Sequence, residues 1–559
     1  MPTKSFDVSL LNPEQRQAVE HAGGPLMIIA GAGSGKTRVI TTRIARLISE
    51  GTPPYRILAV TFTNKAAREM KERVAEMVGP VANSMWIGTF HSLCARMLRI
   101  DGQAIGLSPN FVIYDDGDQV SLVKDLLKQR GHDDKSLQPR GVLAEISRAK
   151  EQLLGPEAYS ERASGFFEKI VAGVYKDYNQ ALARANALDF DDILYKSVRL
   201  LEQSEAAREK YQERFLHVLV DEYQDVNLAQ YQLADMLAAK HRNITIVGDD
   251  DQSIYAWRGA DVSLMLRFTS DHPDATVITL AQNYRSTQKI LEAANHVVSK
   301  NRSRSDKRLW TENESGAPVM VGEAGTENDE AMMVADAIAR SARVSGRKYG
   351  DYAVLYRTNA MSRAVEEAFL TMRLPHVLVG GQRFYDRKEI KDMLAYLRAI
   401  WNPSDDVSIK RVINVPARAV GASALAKAEE WARKNGQTLY QALIDTAFEQ
   451  TLMKKTMHGI RSFTNVVQDA LILVEAGPVT PVLKHVLSAS GYMDLLRSER
   501  TEEAQARLEN LQELVSVTAT YDESAEAPNL GEFLESVALI ADVDSLTEEG
   551  EAVTLMTLH

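Results

Sequence analysis

The sequence predicts an α/β protein: a doubly wound core of parallel strands interrupted by two all-helical inserts. Three observations lead there. Short apolar runs, Leu26-Met27-Ile28-Ile29, Ile57-Leu58-Ala59-Val60, Val218-Leu219-Val220, Ile244-Thr245-Ile246-Val247 and Val354-Leu355, have the length and composition of strands buried on both faces. Helical text alternates with these runs, as in a sheet covered on both sides. Two longer stretches, about 102–187 and about 386–545, carry amphipathic helical patterns such as 118–129 and few strand candidates.

At 559 residues and 45% hydrophobic content the chain is too long for one core, so several domains are expected. It contains no apolar run long enough to span a bilayer, and its first residues, Met1-Pro2-Thr3-Lys4-Ser5-Phe6-Asp7, lack the apolar stretch of a signal peptide. A cytoplasmic location is therefore expected. The lone cysteine, Cys94, allows neither an intramolecular disulfide nor a Cys/His structural metal cluster, and reads as a small buried hydrophobe. A net charge of −11 argues against a protein that coats nucleic acid along its whole surface, but leaves room for a local basic and aromatic groove. There is no short-period repeat and no low-complexity tract, and Asp522-Glu523-Ser524-Ala525-Glu526-Ala527-Pro528-Asn529 reads as a loop within the second insert.

The first element with chemistry follows the first strand. Ala30-Gly31-Ala32-Gly33-Ser34-Gly35-Lys36-Thr37 precedes a helical run over 38–49, which is the strand, glycine-rich loop and helix context of a phosphate-binding loop. Small residues let backbone N–H groups curl around phosphates, and the helix N-terminus adds a favourable dipole. Lys36 would reach the β- and γ-phosphates of ATP and Thr37 would ligate Mg²⁺. Ala30 stands where the general pattern has glycine, a small departure because that residue only ends the strand.

The strand Val218-Leu219-Val220 runs into Asp221-Glu222-Tyr223-Gln224-Asp225. Asp221 would hold Mg²⁺ and Glu222 would act as general base or orient the attacking water. The next strand ends in Gly248-Asp249-Asp250-Asp251-Gln252-Ser253-Ile254-Tyr255-Ala256-Trp257-Arg258-Gly259. Gln252 is placed to sense a γ-phosphate through its amide. Tyr255, Trp257 and Arg258 suit base stacking and phosphate contact, or equally an apolar helix edge with solvated charges.

These residues sit in an ordered series that resembles the superfamily 1A helicases, and within them the bacterial UvrD/PcrA/Rep group. The series runs from Leu11-Asn12-Pro13-Glu14-Gln15 and the phosphate loop through Thr61-Phe62-Thr63-Asn64-Lys65-Ala66-Ala67 and Gly88-Thr89-Phe90-His91-Ser92 to Ala187-Leu188-Asp189-Phe190-Asp191-Asp192. It continues, after the two acidic motifs, with Gln282-Asn283-Tyr284-Arg285-Ser286, Leu355-Tyr356-Arg357-Thr358-Asn359 and Gly380-Gly381-Gln382-Arg383-Phe384-Tyr385-Asp386-Arg387-Lys388-Glu389-Ile390. The resemblance implies two RecA-like P-loop motor lobes, the second incomplete, with two helical insert subdomains. Lobe 1A would span 1–103 and 188–280, subdomain 1B 104–187, lobe 2A 281–379 and 547–559, and subdomain 2B 380–546. It further implies that Gln15 reads the adenine edge, Tyr284 stacks on the base, Arg38 lies close to the nucleotide, and Arg285 is an arginine finger. Gln252 would couple the γ-phosphate to DNA, and Phe62, Asn64, Thr89, His91, Tyr255, Trp257, Arg258, Arg357 and Asn359 would line the path of a single strand.

The implied activity is ATP-driven 3′→5′ translocation on single-stranded DNA with unwinding at single-strand–duplex junctions, in repair, recombination or replication restart. Repair or replication proteins are the expected partners. The other readings are a motor that strips proteins from DNA, a DNA-binding protein with a vestigial ATP site, and a nuclease-fused relative. The last residues, Val553-Thr554-Leu555-Met556-Thr557-Leu558-His559, resemble the first half of the family's fifth motif. A second arginine finger is expected beyond them, and without it the 559-residue piece is expected to bind nucleotide and single strands but to hydrolyse ATP poorly and not to unwind duplexes.

Overall fold

In a computed structural model of the chain, which describes residues 7–132, 137–301, 304–379, 384–499, 501–539 and 551–558, the apolar runs form strands of parallel sheets. The largest sheet holds β1 (Leu26–Ala30), β2 (Ile57–Thr61), β3 (Trp86–Thr89), β6 (His217–Val220), β7 (Ile244–Gly248) and β8 (Thr276–Leu280), in the order β3-β2-β6-β7-β1-β8. Every pairing in it is parallel. Strands β1, β2, β6 and β7 are buried along their whole length, which is why they read as nearly continuous apolar text. The edge strands β3 and β8 carry partly exposed positions and mix threonine with apolar residues, so the pattern of continuous apolar runs passed over both. Helices Lys36–Ser49 and Asn64–Val78 close the core around Ile28, Ile40, Ala59, Met70 and Val247. Because all six strands are parallel, their carboxyl ends share one edge, where the loops of such sheets form sites.

A smaller parallel sheet orders β10 (His376–Leu378), β11 (Val553–Thr557) and β9 (Ala353–Tyr356). Strand β11 lies in the middle, with Leu555 opposite both Leu378 and Val354. Ala331 and Ala335 of helix Glu327–Ser345 and Phe369 of helix Ser362–Thr371 pack with the buried Val553 and Leu555.

By packing, the chain divides into one unit of residues 1–93, 205–381 and 541–559 and another of 94–204 and 382–540. The second unit is mainly helical. It corrects the expectation of an all-helical first insert, because β4 (Val112–Ile113) pairs in parallel with β5 (Ala187–Leu188). Two-residue strands are too short to produce a periodic signal. The loop expected over 522–529 is also shorter. Helix Glu502–Ser524 continues through Asp522, whose carboxylate accepts from the N–H groups of Val479 and Thr480 at 2.8 and 2.9 Å. Asn529 then caps helix Leu530–Ala538.

Within the same unit, helix Lys388–Trp401 buries Ile390, Met393, Leu397 and Ile400. Arg398 of that helix donates to Asp118 at 2.6 Å, and Tyr114 OH donates to Asp405 at 2.8 Å. Cys94 is free and buried, and burial pushes its thiol up to about 12. No described helix is long and apolar enough to cross a membrane. The motif residues 380–383, the expected boundaries at 380 and 546–547, and His559 lie outside the described residues.

Candidate active site

Strand β1 ends at Ala30, and the chain turns through residues 31–35 into helix Lys36–Ser49. Gly33 (φ 66°) and Gly35 (φ 87°) adopt the left-handed conformation that side chains avoid. Ser34 Oγ donates to the Gly31 carbonyl at 2.7 Å and tightens the turn. The loop is held from the exit of β8: Tyr284 N donates to the Gly33 carbonyl at 2.9 Å and Asn283 Nδ2 to the Ala32 carbonyl at 2.6 Å. A Cβ on Gly33 would come within 2.6 Å of Asn283 Nδ2. Lys36 and Thr37 open the helix, half-buried, and Arg38 follows, exposed. The unpaired N–H groups of that first turn therefore sit at the loop, as an anion site requires.

Strand β6 delivers the carboxylates. Lys36 Nζ donates to Glu222 Oε2 at 2.6 Å, which joins the two halves expected of an ATPase. Glu222 stands at φ 50°, ψ 45°, left-handed for a residue with a side chain, a strain that surrounding structure must hold. Gln224 supplies part of that hold: its Nε2 donates to Glu222 Oε2 at 2.9 Å and to Asp225 Oδ2 at 3.1 Å. Its Oε1 accepts from Asp249 N at 3.0 Å. Burial, then the neighbouring Glu222 carboxylate, push the Asp221 pKa up to about 7 against the opposing charge of Lys36. Burial and Glu222 likewise raise Asp225 to about 6.

Strand β7 ends in the acidic turn. Gln252 donates from its amide to the Asp249 carboxylate, so its sensing group is anchored within the turn. Beyond it, Tyr255 stacks on Phe62 with ring centroids 4.7 Å apart. Trp257 follows at 6.4 Å from Tyr255, with the Arg258 guanidinium 4.7 Å from the Trp257 ring centre. Trp257 is 60% exposed, so this is an open aromatic and cationic surface and not a core edge. His91, just past β3, is held neutral: burial and then the Arg258 charge lower its pKa to about 4. Thr89 is buried at the end of β3, where its N–H and hydroxyl both meet Ser92 Oγ, and Asn64 opens helix Asn64–Val78, half-buried. Arg357 and Asn359 lie exposed beyond the end of β9, in the smaller sheet.

The wall at the exit of β8 is more tightly bonded than its residues suggest. Gln15 sits against the phosphate loop, but its carboxamide is committed at both ends: Nε2 donates to the Ser34 carbonyl at 2.8 Å and Oε1 accepts from Asn12 N at 3.2 Å. Asn12 Nδ2 donates to Tyr284 OH at 2.9 Å, and Tyr284 OH donates to Gln282 Oε1 at 2.8 Å. Tyr284 presents a ring 49% exposed, and Arg285 is exposed beside it. Sequence reasoning gave no role to Asn12, Gln224 or Asn283. Asn12 was findable, because Asn12-Pro13-Glu14-Gln15 is a capping box with proline at its first helical position. Gln224 and Asn283 each bond near neighbours, but the bonds that tie Gln224 to Asp249 and Asn283 to the Ala32 carbonyl join residues distant in the chain and leave no local signal.

Matches to known families cover nearly all of the chain. Residues 11–273 match the UvrD/REP helicase N-terminal domain and residues 278–559 the UvrD-like helicase C-terminal domain. The chain is 46% identical over 559 residues to the ATP-dependent DNA helicase PcrA of Bacillus subtilis (strain 168), covering 99% of this chain and 76% of that protein. It is 47% identical over 553 residues to the ATP-dependent DNA helicase PcrA of Staphylococcus aureus (strain NCTC 8325 / PS 47), covering 98% of this chain and 75% of that one.

Proposed function

The chain belongs to the UvrD/Rep-type helicase family, and we propose on that premise that it is an ATP-dependent DNA helicase moving 3′→5′ along single-stranded DNA and opening duplexes at single-strand junctions. Repair, recombination or replication restart is the setting we propose for it. One observation carries the reading. A single edge of the six-stranded sheet holds both the Lys36–Glu222 pair at 2.6 Å and the surface of Phe62, Tyr255, Trp257 and Arg258, so the nucleotide and strand sites share one framework.

In this reading Lys36 and the N–H groups at residues 33 and 35–37 bind the phosphates, while those of Gly31 and Ser34 hold the loop by bonding Leu280 and Gly31. Glu222 orients the attacking water and takes its proton. The residues fit a divalent cation: the Asp221 carboxylate at the end of β6 and the Thr37 hydroxyl at the helix start are oxygen donors of the kind Mg²⁺ takes. When bound, Mg²⁺ neutralises phosphate charge as it develops. Tyr284 stacks on the base, Gln15 reads the adenine edge, Ala30 ends the strand beneath the phosphate loop, and Arg38 lies close to the nucleotide. Arg285 brings a cation to the transferred group, which makes hydrolysis depend on closure around it. Gln252 relays the γ-phosphate to the strand. The aromatic surface stacks on bases without regard to sequence, neutral His91 contributes hydrogen bonding without charge, and Asn64, Thr89, Arg357 and Asn359 complete the path. We assign 1–103 with 188–280 and 281–379 with 547–559 to the motor lobes, and 104–187 and 380–546 to the inserts.

The test is steady-state ATP hydrolysis with and without a single-stranded oligonucleotide. The oligonucleotide should stimulate hydrolysis, and Lys36→Ala should lower it by roughly 10²–10³-fold while oligonucleotide binding persists. Hydrolysis that ignores DNA, or that survives Lys36→Ala, would sink the motor reading. Opening of 5′-tailed duplexes in preference to 3′-tailed ones would reverse the polarity.

A further inference from the structure

The acidic turn after β7 places Asp249, Asp250 and Asp251 with carboxylate oxygens within 4.8 Å of one another. Three adjacent carboxylates would repel and splay the turn unless neutralised. Lys307 neutralises them. Its side chain is 2% exposed, and its ammonium lies 2.9 Å from Asp249 and 3.1 Å from Asp251, with a further bond to Asp250. Burial alone would favour the uncharged amine, but the Asp249 and Asp250 carboxylates outweigh it and hold the Lys307 pKa above the usual lysine value. Arg304 adds a second cation at 3.0 Å from Asp251, and Ser305 Oγ donates to Asp250 at 2.9 Å.

Two connections make this more than a structural pin. Asp249 is also the residue that accepts from the Gln252 amide and whose N–H bonds to Gln224, which in turn donates to Glu222. Polar contacts thus run from Lys307 to the Asp249 carboxylate, and from the Asp249 backbone N–H through the Gln224 side chain to the water-activating carboxylate. Three residues past Lys307, Trp310 exchanges backbone bonds with the exit of β8: Asn283 N donates to the Trp310 carbonyl at 2.8 Å and Trp310 N to the Ala281 carbonyl at 3.1 Å. The segment carrying Lys307 therefore bonds both the turn that leads into Tyr255 and Trp257 and the strand exit that presents Tyr284 and Arg285.

We propose that Lys307 is a positioning residue that couples the strand-binding surface to hydrolysis, by holding the Asp249–Gln252 turn in register with Glu222 on one side and Arg285 on the other. The inference rests on the motor reading above. The turn reports the presence of DNA to the catalytic carboxylate only while its charge is balanced and its geometry fixed, since displacements of about 1 Å at such a site cost up to about a hundredfold in rate.

The experiment measures kcat and KM for ATP at saturating oligonucleotide in the full chain, for wild type, Lys307→Met, Lys307→Arg and Asp249→Asn. Lys307→Met and Asp249→Asn should lower DNA-stimulated kcat by at least about tenfold with KM for ATP within about threefold of wild type, and Lys307→Arg should recover most of the loss. Stimulation that persists in Lys307→Met, or a loss in which KM rises with falling kcat and Lys307→Arg gives no recovery, overturns the inference. If Lys307→Met does not fold, Asp249→Asn decides alone: unchanged stimulation there overturns it. A wild-type chain whose hydrolysis ignores the oligonucleotide overturns the motor reading and this inference together, whereas a stimulated wild type with equally stimulated variants overturns the inference only.

Discussion

His217 begins β6, only 8% exposed, in a stretch that reads as plain strand text. Burial first, and the nearby Arg43 charge second, lower its pKa to about 4 from an ordinary 6.5. Between those values the folded chain binds fewer protons than the unfolded one, so stability is present above 6.5 and is lost as pH falls toward 4. The loss attributable to His217 between about pH 7 and about pH 5 is about 2 kcal/mol. Chemical denaturation at the two pH values should show the gap between wild type and His217→Gln moving by that amount, and a gap that does not move with pH would contradict it. Residue identity was legible at such positions, and the environment that sets the proton affinity was not. The same holds for Gln15, whose adenine-reading role was expected from its motif while its two hydrogen bonds, to Ser34 and from Asn12, emerged only from packing.

The phosphate loop is the element most fully written in the sequence, because Gly33 and Gly35 answer a local backbone demand, although Gly31 instead makes room for Leu309. Gly33 answers a second demand as well, the approach of Asn283 Nδ2 and Arg285 Cβ at 2.6 and 2.8 Å from any added Cβ. Gly33→Ala should therefore combine about 1–2 kcal/mol of left-handed strain with displacement of the clamp, and weaken ATP binding by about tenfold or more. Gly51 makes the control, since it has φ 101° but nothing within 4 Å of an added Cβ. Gly51→Ala should lower stability and leave nucleotide affinity unchanged, as read by fluorescent nucleotide titration. Equal losses of affinity in the two variants would argue that strain alone matters. Edge strands β3 and β8 and the two-residue strands β4 and β5 were not legible, because partial exposure and shortness erase periodicity.

At the scale of the whole molecule, the unit formed by 94–204 and 382–540 depends on pairings that no local pattern announces. Asp118 and Arg398 are 280 positions apart and meet at 2.6 Å, with side chains 13% and 11% exposed. Burial pushes Asp118 up to about 6 even with Arg398 beside it, so loss of the cation would leave a badly placed charge. Arg398→Ala should destabilise this unit by about 3–5 kcal/mol, and Asp118→Asn with Arg398→Met should recover most of it. A double variant as unstable in thermal melts as the single one would show that the pair acts through shape and not charge.

Sequence by itself determined the α/β class, the helical inserts, and the identity of the loop, carboxylate and aromatic residues. Each of these rests on periodicity, backbone permissiveness or chemical type, which adjacent residues express among themselves. Tertiary structure decided which of them touch: Lys36 with Glu222, Gln224 with Glu222 and Asp249, Lys307 with three aspartates, Asn283 with the loop, and Asp118 with Arg398. The reason is physical. A buried polar group must find its partner wherever the fold brings one, and parallel strands bring together residues that the chain keeps far apart.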